Sequence, residues 1–234
     1  ASNNSALGFQ ALYNNTSGGF NTAIGSQSLL ANTTGALNTA IGRAALRSNT
    51  TAESNTALGH FAMEATTTGA NNVGIGKDAL LANTTGDAIT AVGKDALKTN
   101  TTGRMNVAVG YESLALTTTG GENVAVGKAA MYANTTGAKN TATGYGALLS
   151  NTTASNNTAA GFESLTDNTT GASNTASGYK SMQKNTTGAS NTATGLEALR
   201  YNTTGAASVA VGKSALTANT TGGSHVAIGF EALK

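Results

Sequence analysis

A single large apolar side chain recurs every 17 residues along this chain, and the polar residues around it keep the same spacing. We number the repeat from the Asn of Asn21-Thr22-Ala23-Ile24-Gly25, so that position 5 is Gly in all 14 copies. A fixed short period without insertions predicts a solenoid, in which each repeat forms one rung stacked on the next. Position 9 is the predicted core column, and it contains Leu12, Leu29, Leu46, Met63, Leu80, Leu97, Leu114, Met131, Leu148, Leu165, Met182, Leu199, Leu216 and Leu233.

The first five positions of the repeat predict a β-strand. Position 2 is Thr or Val except at Ser5, position 3 is Ala except at Gly74, and position 4 is mostly Ile, Leu or Val. β-branched residues suit a pleated strand, and Asn and Gly punctuate its ends. Position 4 weakens in four consecutive copies, which hold Thr143, Ala160, Ser177 and Thr194.

The rest of the repeat predicts a second short extended segment at positions 8–14 and a tight turn at positions 15–17. Positions 12–15 usually read Asn-Thr-Thr-Gly, and Gly supplies the positive φ that a tight turn requires. We therefore predict an all-β, parallel β-solenoid (β-roll) of 14 seventeen-residue rungs, with Asn and Thr ladders between rungs. At about 4.8 Å per rung, the rod would be roughly 65 Å long.

The whole sequence, 1–234, is expected to form a single repeat array with incomplete first and last repeats and no caps. Uncapped solenoid ends present unpaired backbone groups, which favours stacking of copies end to end into a filament.

Both faces of the predicted strand have the composition of buried surfaces. Ala at position 3 favours close packing on one side, and β-branched or apolar residues at positions 2 and 4 favour burial on the other. A single solenoid buries only one face, so we expect three chains around a common axis. A monomer that exposes its Thr/Val/Ile face is the alternative.

The sequence Asn-Thr-Ala-Ile-Gly followed by Ala-Leu resembles the Asn-Ser-Val-Ala-Ile-Gly-x-x-Ala signature of trimeric autotransporter adhesin heads, the YadA-like heads. The full repeat also resembles the Asn-Asn-Thr-Ala-x-Gly-x-x-Ala-Leu-x-x-Asn-Thr-Thr-Gly repeats of bacterial and phage tail-fibre-like proteins. The resemblance covers the whole chain, although adhesin head repeats are usually shorter and less regular. It implies a trimeric, left-handed β-roll on a cell surface or virion, where the chain would be the shaft or head of an extracellular fibre.

Composition argues against several other functions. Charged residues make up 10% of the chain and the net charge is +2, a weak field for nucleic acid or an anionic membrane. The chain has no Cys, and no apolar run approaches the roughly 20 residues that span a bilayer. His60 and His225 have no second ligand at metal-site spacing, and no catalytic triad or phosphate loop is present. We expect no enzyme activity, cofactor or metal.

Position 6 is the most informative variable column, with position 7 beside it. Position 6 carries six aromatic residues and six basic residues, the latter including Lys94 and Lys128. Position 7 carries six acidic residues, among them Asp95 and Glu163. Two interpretations remain open: a stripe that binds a surface glycan or protein receptor, or an edge ladder that pairs charges and covers the core. The aromatic residues of this possible binding stripe are Phe9, Tyr111, Tyr145, Phe162, Tyr179 and Phe230.

Asn-Thr-Thr is also an N-glycosylation sequon. The same side chains could instead be simple turn residues. The possible glycosylation sites are Asn32, Asn49, Asn83, Asn100, Asn134, Asn151, Asn168, Asn185, Asn202 and Asn219.

Stacked Thr rows raise ice binding as another class of function. Against it, adjacent threonines such as Thr33 and Thr34 should point to opposite faces of an extended segment. This would leave one outward Thr column at positions 13 and 14.

Overall fold

The computed structural model describes residues 2–234 and divides into two compact units, the first ending at Thr119 and the second covering Gly120–Lys234. Both units are built from three-residue β-strands, and no helix occurs in the described residues. The first unit contains β1 (Ser5–Leu7), β2 (Thr22–Ile24), β3 (Thr39–Ile41), β4 (Thr56–Leu58), β5 (Val73–Ile75), β6 (Thr90–Val92) and β7 (Val107–Val109). The second contains β8 (Val124–Val126), β9 (Thr141–Thr143), β10 (Thr158–Ala160), β11 (Thr175–Ser177), β12 (Thr192–Thr194), β13 (Val209–Val211) and β14 (Val226–Ile228).

Within each unit, consecutive strands pair in parallel and in strict register. Thr22 lies beside Thr39 and Ile24 beside Ile41, so that identical repeat positions stack on each other. The second unit follows the same rule, with Thr158 beside Thr175. This arrangement confirms the predicted all-β parallel solenoid; its handedness and the trimer remain predictions.

The strand occupies positions 2–4 of the repeat, which is shorter than predicted. Ladder hydrogen bonding nevertheless extends over the flanking positions. Thr22 N donates to Asn38 O at 2.8 Å, and Gly42 N donates to Ile24 O at 2.7 Å. The sequence therefore located the strand correctly, and the Asn and Gly that bound it still take part in the ladder.

The prediction of a second extended segment at positions 8–14 is wrong, because positions 6–11 form successive turns. Gln27 and Leu29 have φ values of 60° and 49°, in the left-handed region. Such a conformation costs an L-residue roughly 1–2 kcal/mol. Hydrogen bonds to the next rung hold it in place, since Leu29 N donates to Ala45 O at 3.0 Å.

The glycines of the repeat serve different purposes from the one predicted. Gly25, at position 5, has a φ of 130°, which side-chain-bearing residues rarely adopt. Gly35, at position 15, has no positive φ; an added Cβ would lie 2.5 Å from Asn32 Oδ1, so Gly relieves crowding there, although Ala52 and Ala154 occupy the same position in two other rungs. The positive φ in that turn belongs to Leu37, at position 17, with φ 60°.

The interior of each unit is formed by the position-9 column together with Ala at position 3 and Ala or Ser at position 8. From Leu29 to Leu199 the position-9 side chains are completely buried, and Leu216 is 4% exposed. Leu12 is only half-buried and Leu233 is 65% exposed. Both lie in terminal rungs, where stacking of this chain covers the side chain from one direction only.

Buried Asn side chains form the predicted ladders beside this core. At position 1, Asn38 N donates to Asn21 Oδ1 at 3.0 Å, and Asn38 Nδ2 donates to Ala52 O at 2.9 Å. At position 12, Asn168 Nδ2 donates to Asn151 Oδ1 at 3.0 Å and to Gly171 O at 2.9 Å. Each Asn therefore ties its own rung to a neighbour.

The position-12 ladder is interrupted in the first unit, where Thr66 and Thr117 replace Asn. Asn49 Oδ1 and Asn100 Oδ1, each one rung before a Thr, are buried without a hydrogen-bond partner, and so is Thr66 Oγ1. In the second unit the Asn column continues without a break to Asn219.

Candidate functional site

The stripe of positions 6 and 7 is built from ion pairs in part of the first unit. Lys94 Nζ lies 2.7 Å from Asp95 Oδ2, and Lys98 Nζ lies 3.0 Å from Asp95 Oδ1. The Asp95 side chain is nearly buried, whereas both lysines remain substantially exposed. Lys94 Nζ also lies 5.0 Å from the centre of the Tyr111 ring, within range of a cation–π contact.

These contacts shift the protonation of all three groups. Burial acts to raise the pKa of Asp95, but hydrogen bonds from Lys94 and Lys98 outweigh it and lower that pKa below its ordinary 3.8. The hydrogen bond with Asp95 in turn raises the pKa of Lys94 and the pKa of Lys98. The cluster therefore stays fully charged at neutral pH and behaves as a structural ion network.

In the second unit the same stripe is built from stacked rings. Tyr145 and Phe162 lie 5.1 Å apart between ring centroids, and Phe162 and Tyr179 lie 5.5 Å apart, with interplanar angles of 11° in both pairs. Lys128 Nζ lies 5.6 Å from the Tyr145 ring centre, and Lys180 Nζ lies 5.1 Å from the Tyr179 ring centre. The ring faces are thus occupied by neighbouring rings or amines.

The exposed parts of this stack are its edges. Tyr145, Phe162 and Tyr179 are each 43–46% exposed, while Phe9 and Phe230 of the terminal rungs are 70% and 68% exposed. A stack with covered faces favours the edge-ladder interpretation over docking of a sugar ring on the aromatic faces. The Tyr179 hydroxyl is already hydrogen-bonded to Lys180, whereas the Tyr145 hydroxyl stays open to a ligand.

Positions 2 and 4 of each strand point away from the core and form the outer strand face, while Ala at position 3 points inward and is buried. In the first unit this face is apolar at position 4: Ile24 is 39% exposed, Leu58 is 44% exposed and Val109 is 36% exposed. Ile41, Ile75 and Val92 are half-buried. The single chain leaves this face open, so its predicted burial would require other chains.

In the second unit the outer strand face changes character between β9 and β12. Position 2 is Thr in all four strands, and position 4 follows the weakened column noted in the sequence. Thr141 and Thr143 are both exposed on either side of the buried Ala142. The sequence contained this signal, but its interpretation as hydroxyl-bearing surface required knowing that both columns point outward.

The threonines at positions 13 and 14 have different environments in the structure. Thr33 is half-buried and its Oγ1 donates to Thr50 O at 3.0 Å, whereas Thr34 is exposed. The same bond recurs further along, from Thr169 Oγ1 to Thr186 O at 3.1 Å. One outward Thr column is therefore left at positions 13 and 14, as predicted, and the hydroxyl groups of the other column are already used.

Nine of the ten sequon asparagines are completely buried, which argues against the prediction that they carry glycans on the folded chain. The amide nitrogen that would be modified is a ladder donor; for example, Asn185 Nδ2 donates to Asn168 Oδ1 and to Gly188 O, both at 2.9 Å. Asn219 is half-buried and makes the same two bonds. Those completely buried are Asn32, Asn49, Asn83, Asn100, Asn134, Asn151, Asn168, Asn185 and Asn202.

A shallow groove of about 670 Å³ on the second unit was not indicated by the sequence. Tyr201 and Lys184 of position 11 line it together with Thr203 of position 13. Lys184 Nζ is paired with Asp167 Oδ2 at 2.9 Å. The groove is open and its charges are already paired, so it offers few unsatisfied groups to a ligand.

Residues 2–234 contain no cluster of three or more His, Asp or Glu side chains that could hold a metal ion. Nor does this part of the chain contain a helix long and apolar enough to cross a membrane.

Comparisons with family profiles, with curated proteins and with solved structures gave no match to this chain. The YadA-like resemblance therefore remains an expectation based on the repeat sequence.

Proposed function

We propose that this chain is a rigid, non-enzymatic segment of an extracellular fibre on a cell surface or virion, and that it assembles as a homotrimer. The observation that carries the proposal is the apolar outer strand face of the first unit. Its position-4 column runs through Ile24, Ile41, Leu58, Ile75, Val92 and Val109. Contiguous exposed apolar surface on a soluble protein usually marks an interaction site.

Rigidity follows from the density of bonds between rungs. Each typical rung is tied to its neighbour by ladder hydrogen bonds of the strand, by buried Asn amides and by a Thr hydroxyl, as at Thr22, Asn38 and Thr33. Each bond contributes only about 0.5–1.5 kcal/mol, but the same set repeats at every rung. A segment built in this way resists bending because bending must break many bonds together.

The trimer is tested by light scattering on the purified chain, which should give three times 23.0 kDa. Replacing Ile41→Lys together with Ile75→Lys places charges on the outer strand face and should release monomers. The matched control is Thr51→Lys with Thr85→Lys, which adds the same charges at exposed position-14 sites. A 23.0 kDa particle for the unmodified chain at every concentration would refute the trimer, and a trimeric Ile-to-Lys variant would refute this interface.

Adhesion through the stripe is a second candidate, favoured by the exposed edges of the ring stack. A glycan array probed with the chain and with a Tyr145→Phe, Tyr179→Phe variant tests it, because the variant keeps the rings and removes both hydroxyl groups. We expect the variant to lose binding while a Tyr201→Phe control retains it. Stacking of copies end to end is examined directly by electron microscopy of the purified chain.

A further inference from the structure

The outer strand face of β9 to β12 is a compact field of small hydroxyl and methyl groups. Position 2 contributes four threonines in succession, and position 4 adds two more threonines, one methyl group and one hydroxyl group. None of these strands contains a charged residue. The field consists of Thr141, Thr143, Thr158, Ala160, Thr175, Ser177, Thr192 and Thr194.

Strict register turns this field into a two-dimensional grid. Thr158 lies beside Thr141 and Thr175 lies beside Thr192, so the columns run straight across the strands. Neighbouring strands are about 4.8 Å apart, and outward residues on one strand are separated by about 6.6 Å. The first repeat is close to one of the two spacings between water oxygens on the prism faces of ice, and the second is somewhat shorter than the other spacing.

The hydroxyl groups on this grid are free to meet water. Within the described chain, no hydrogen bond is made by the side-chain oxygens of Thr158, Thr175 or the other threonines of the field, and all but Thr192 are exposed. The half-buried column at position 13 differs, because its hydroxyl groups donate to backbone carbonyls, as Thr152 Oγ1 does to Thr169 O at 3.2 Å.

The grid is also held rigidly from behind. Ala142, Ala159, Ala176 and Ala193 point inward between the outward positions and are completely buried. Ser181 Oγ donates to Ala193 O at 3.1 Å, which fixes the backbone of β12 from the inner side. A surface that keeps its spacing without a bound partner loses little conformational entropy when it binds an ordered lattice.

From these observations we propose that the outer strand face of β9 to β12 binds ice. The methyl groups of the field order the first shell of water around them, as apolar groups do. The hydroxyl groups between them donate to and accept from that ordered layer, which then joins the ice lattice. Ala160 supplies a methyl group alone and Ser177 a hydroxyl group alone, so the grid is complete at its outer strands and thinner at its centre.

Ice-affinity partitioning and thermal hysteresis of the full chain test this inference. We expect the chain to be enriched in a growing ice fraction and to depress the freezing point below the melting point. Replacing Thr158→Lys with Thr175→Lys should abolish both effects, because long charged side chains prevent close contact with a lattice. The control Thr153→Lys with Thr170→Lys changes exposed position-14 threonines and should retain both effects.

Circular dichroism and thermal melting of every variant establish that the fold is intact. A neutral pair, Thr158→Gln with Thr175→Gln, should lose activity as the Lys pair does, since the mismatch is one of shape. Exclusion of the unmodified chain from ice would overturn the proposal, as would equal loss in the position-14 control or full activity in the Gln pair. The proposed trimer would cover the outer strand face, whereas ice binding needs that face open at β9 to β12. The variant Ile41→Lys, Ile75→Lys should release monomers and still bind ice, which separates this inference from the proposed trimer.

Discussion

In the first unit, position 4 of the outer strand face holds Ile24, Ile41 and Ile75, whereas in β9 and β12 of the second unit the same position holds Thr143 and Thr194. The interiors of both units are nevertheless built alike, with buried Leu or Met at position 9 and buried Ala at position 3 throughout the rungs between the two terminal ones, except that Gly74 replaces Ala in one of them. The comparison teaches that inward residues and ladder bonds set the shape of a rung. The outward residues can therefore vary between rungs, and they determine what the surface of each rung can bind.

The two units differ in a second respect, the continuity of the position-12 ladder. Asn168 both donates to Asn151 and accepts from Asn185, whereas Asn49 and Asn100 of the first unit have an unpaired buried Oδ1. An unsatisfied buried acceptor costs about 1–3 kcal/mol. The first unit should therefore be the less stable of the two for reasons independent of its surface.

The core column provides the largest test of the claim that the interiors are alike. Leu80→Ala in the first unit and Leu165→Ala in the second should each lower the free energy of unfolding by about 2–5 kcal/mol, because each leaves a cavity. Urea denaturation followed by circular dichroism measures both. Clearly unequal losses of unfolding free energy would show that the two interiors are not built alike.

Next in size is the effect of removing a ladder Asn. Asn168→Ala removes three side-chain hydrogen bonds, and it should cost about 2–3 kcal/mol because buried partners are left unsatisfied. Asn100 donates two side-chain hydrogen bonds and accepts none, so Asn100→Ala should lower the free energy of unfolding by less. Equal losses in the same denaturation experiment would contradict the importance of ladder continuity.

Restoring the interrupted Asn ladder at position 12 should raise the stability of the chain. Thr66→Asn can accept from Asn83 and donate to Asn49 Oδ1, so we expect the free energy of unfolding to rise by about 1 kcal/mol. Thr68→Asn, at an exposed position of the same rung, should change it by less than about 0.5 kcal/mol. A destabilised Thr66→Asn variant would mean that the rung has no room for the amide.

The smallest effect concerns the stripe, which is ionic around Asp95 and aromatic around Phe162. Asp95→Asn should lower stability at neutral pH by about 0.5–1 kcal/mol, since both lysine partners are largely exposed. The pKa of Asp95 is lowered on folding, so its contribution is complete above the ordinary value of 3.8 and disappears as the pH falls through the lower folded value. Denaturation at neutral pH and well below 3.8 should show the loss only at neutral pH.

Phe162→Ala is the matched counterpart in the second unit. It removes the central ring of the stack and should lower stability equally at both pH values, because the rings carry no charge that titrates there. A pH-dependent effect of Phe162→Ala would indicate that the two halves of the stripe are not chemically distinct.

Much of this fold could be predicted from the period. Leu29 and Thr22 recur at fixed positions, and the alternation of a strand gives the inward Ala23 its two outward neighbours. The left-handed conformation of Leu29 could not be predicted, because local preference opposes it and only bonds to the next rung compensate. Short motifs were also poor guides, since Asn32 matches a sequon although its amide is completely buried.

The constant spacing of 17 residues has a consequence for how such a chain can change over generations. Each rung bonds only to its two neighbours, and interior neighbours offer nearly the same donors and acceptors. Unequal exchange between repeated stretches of the coding DNA would add or delete whole rungs and still leave every backbone donor with an acceptor. The number of rungs in such a chain can therefore change by mutation while the structure of each rung stays the same.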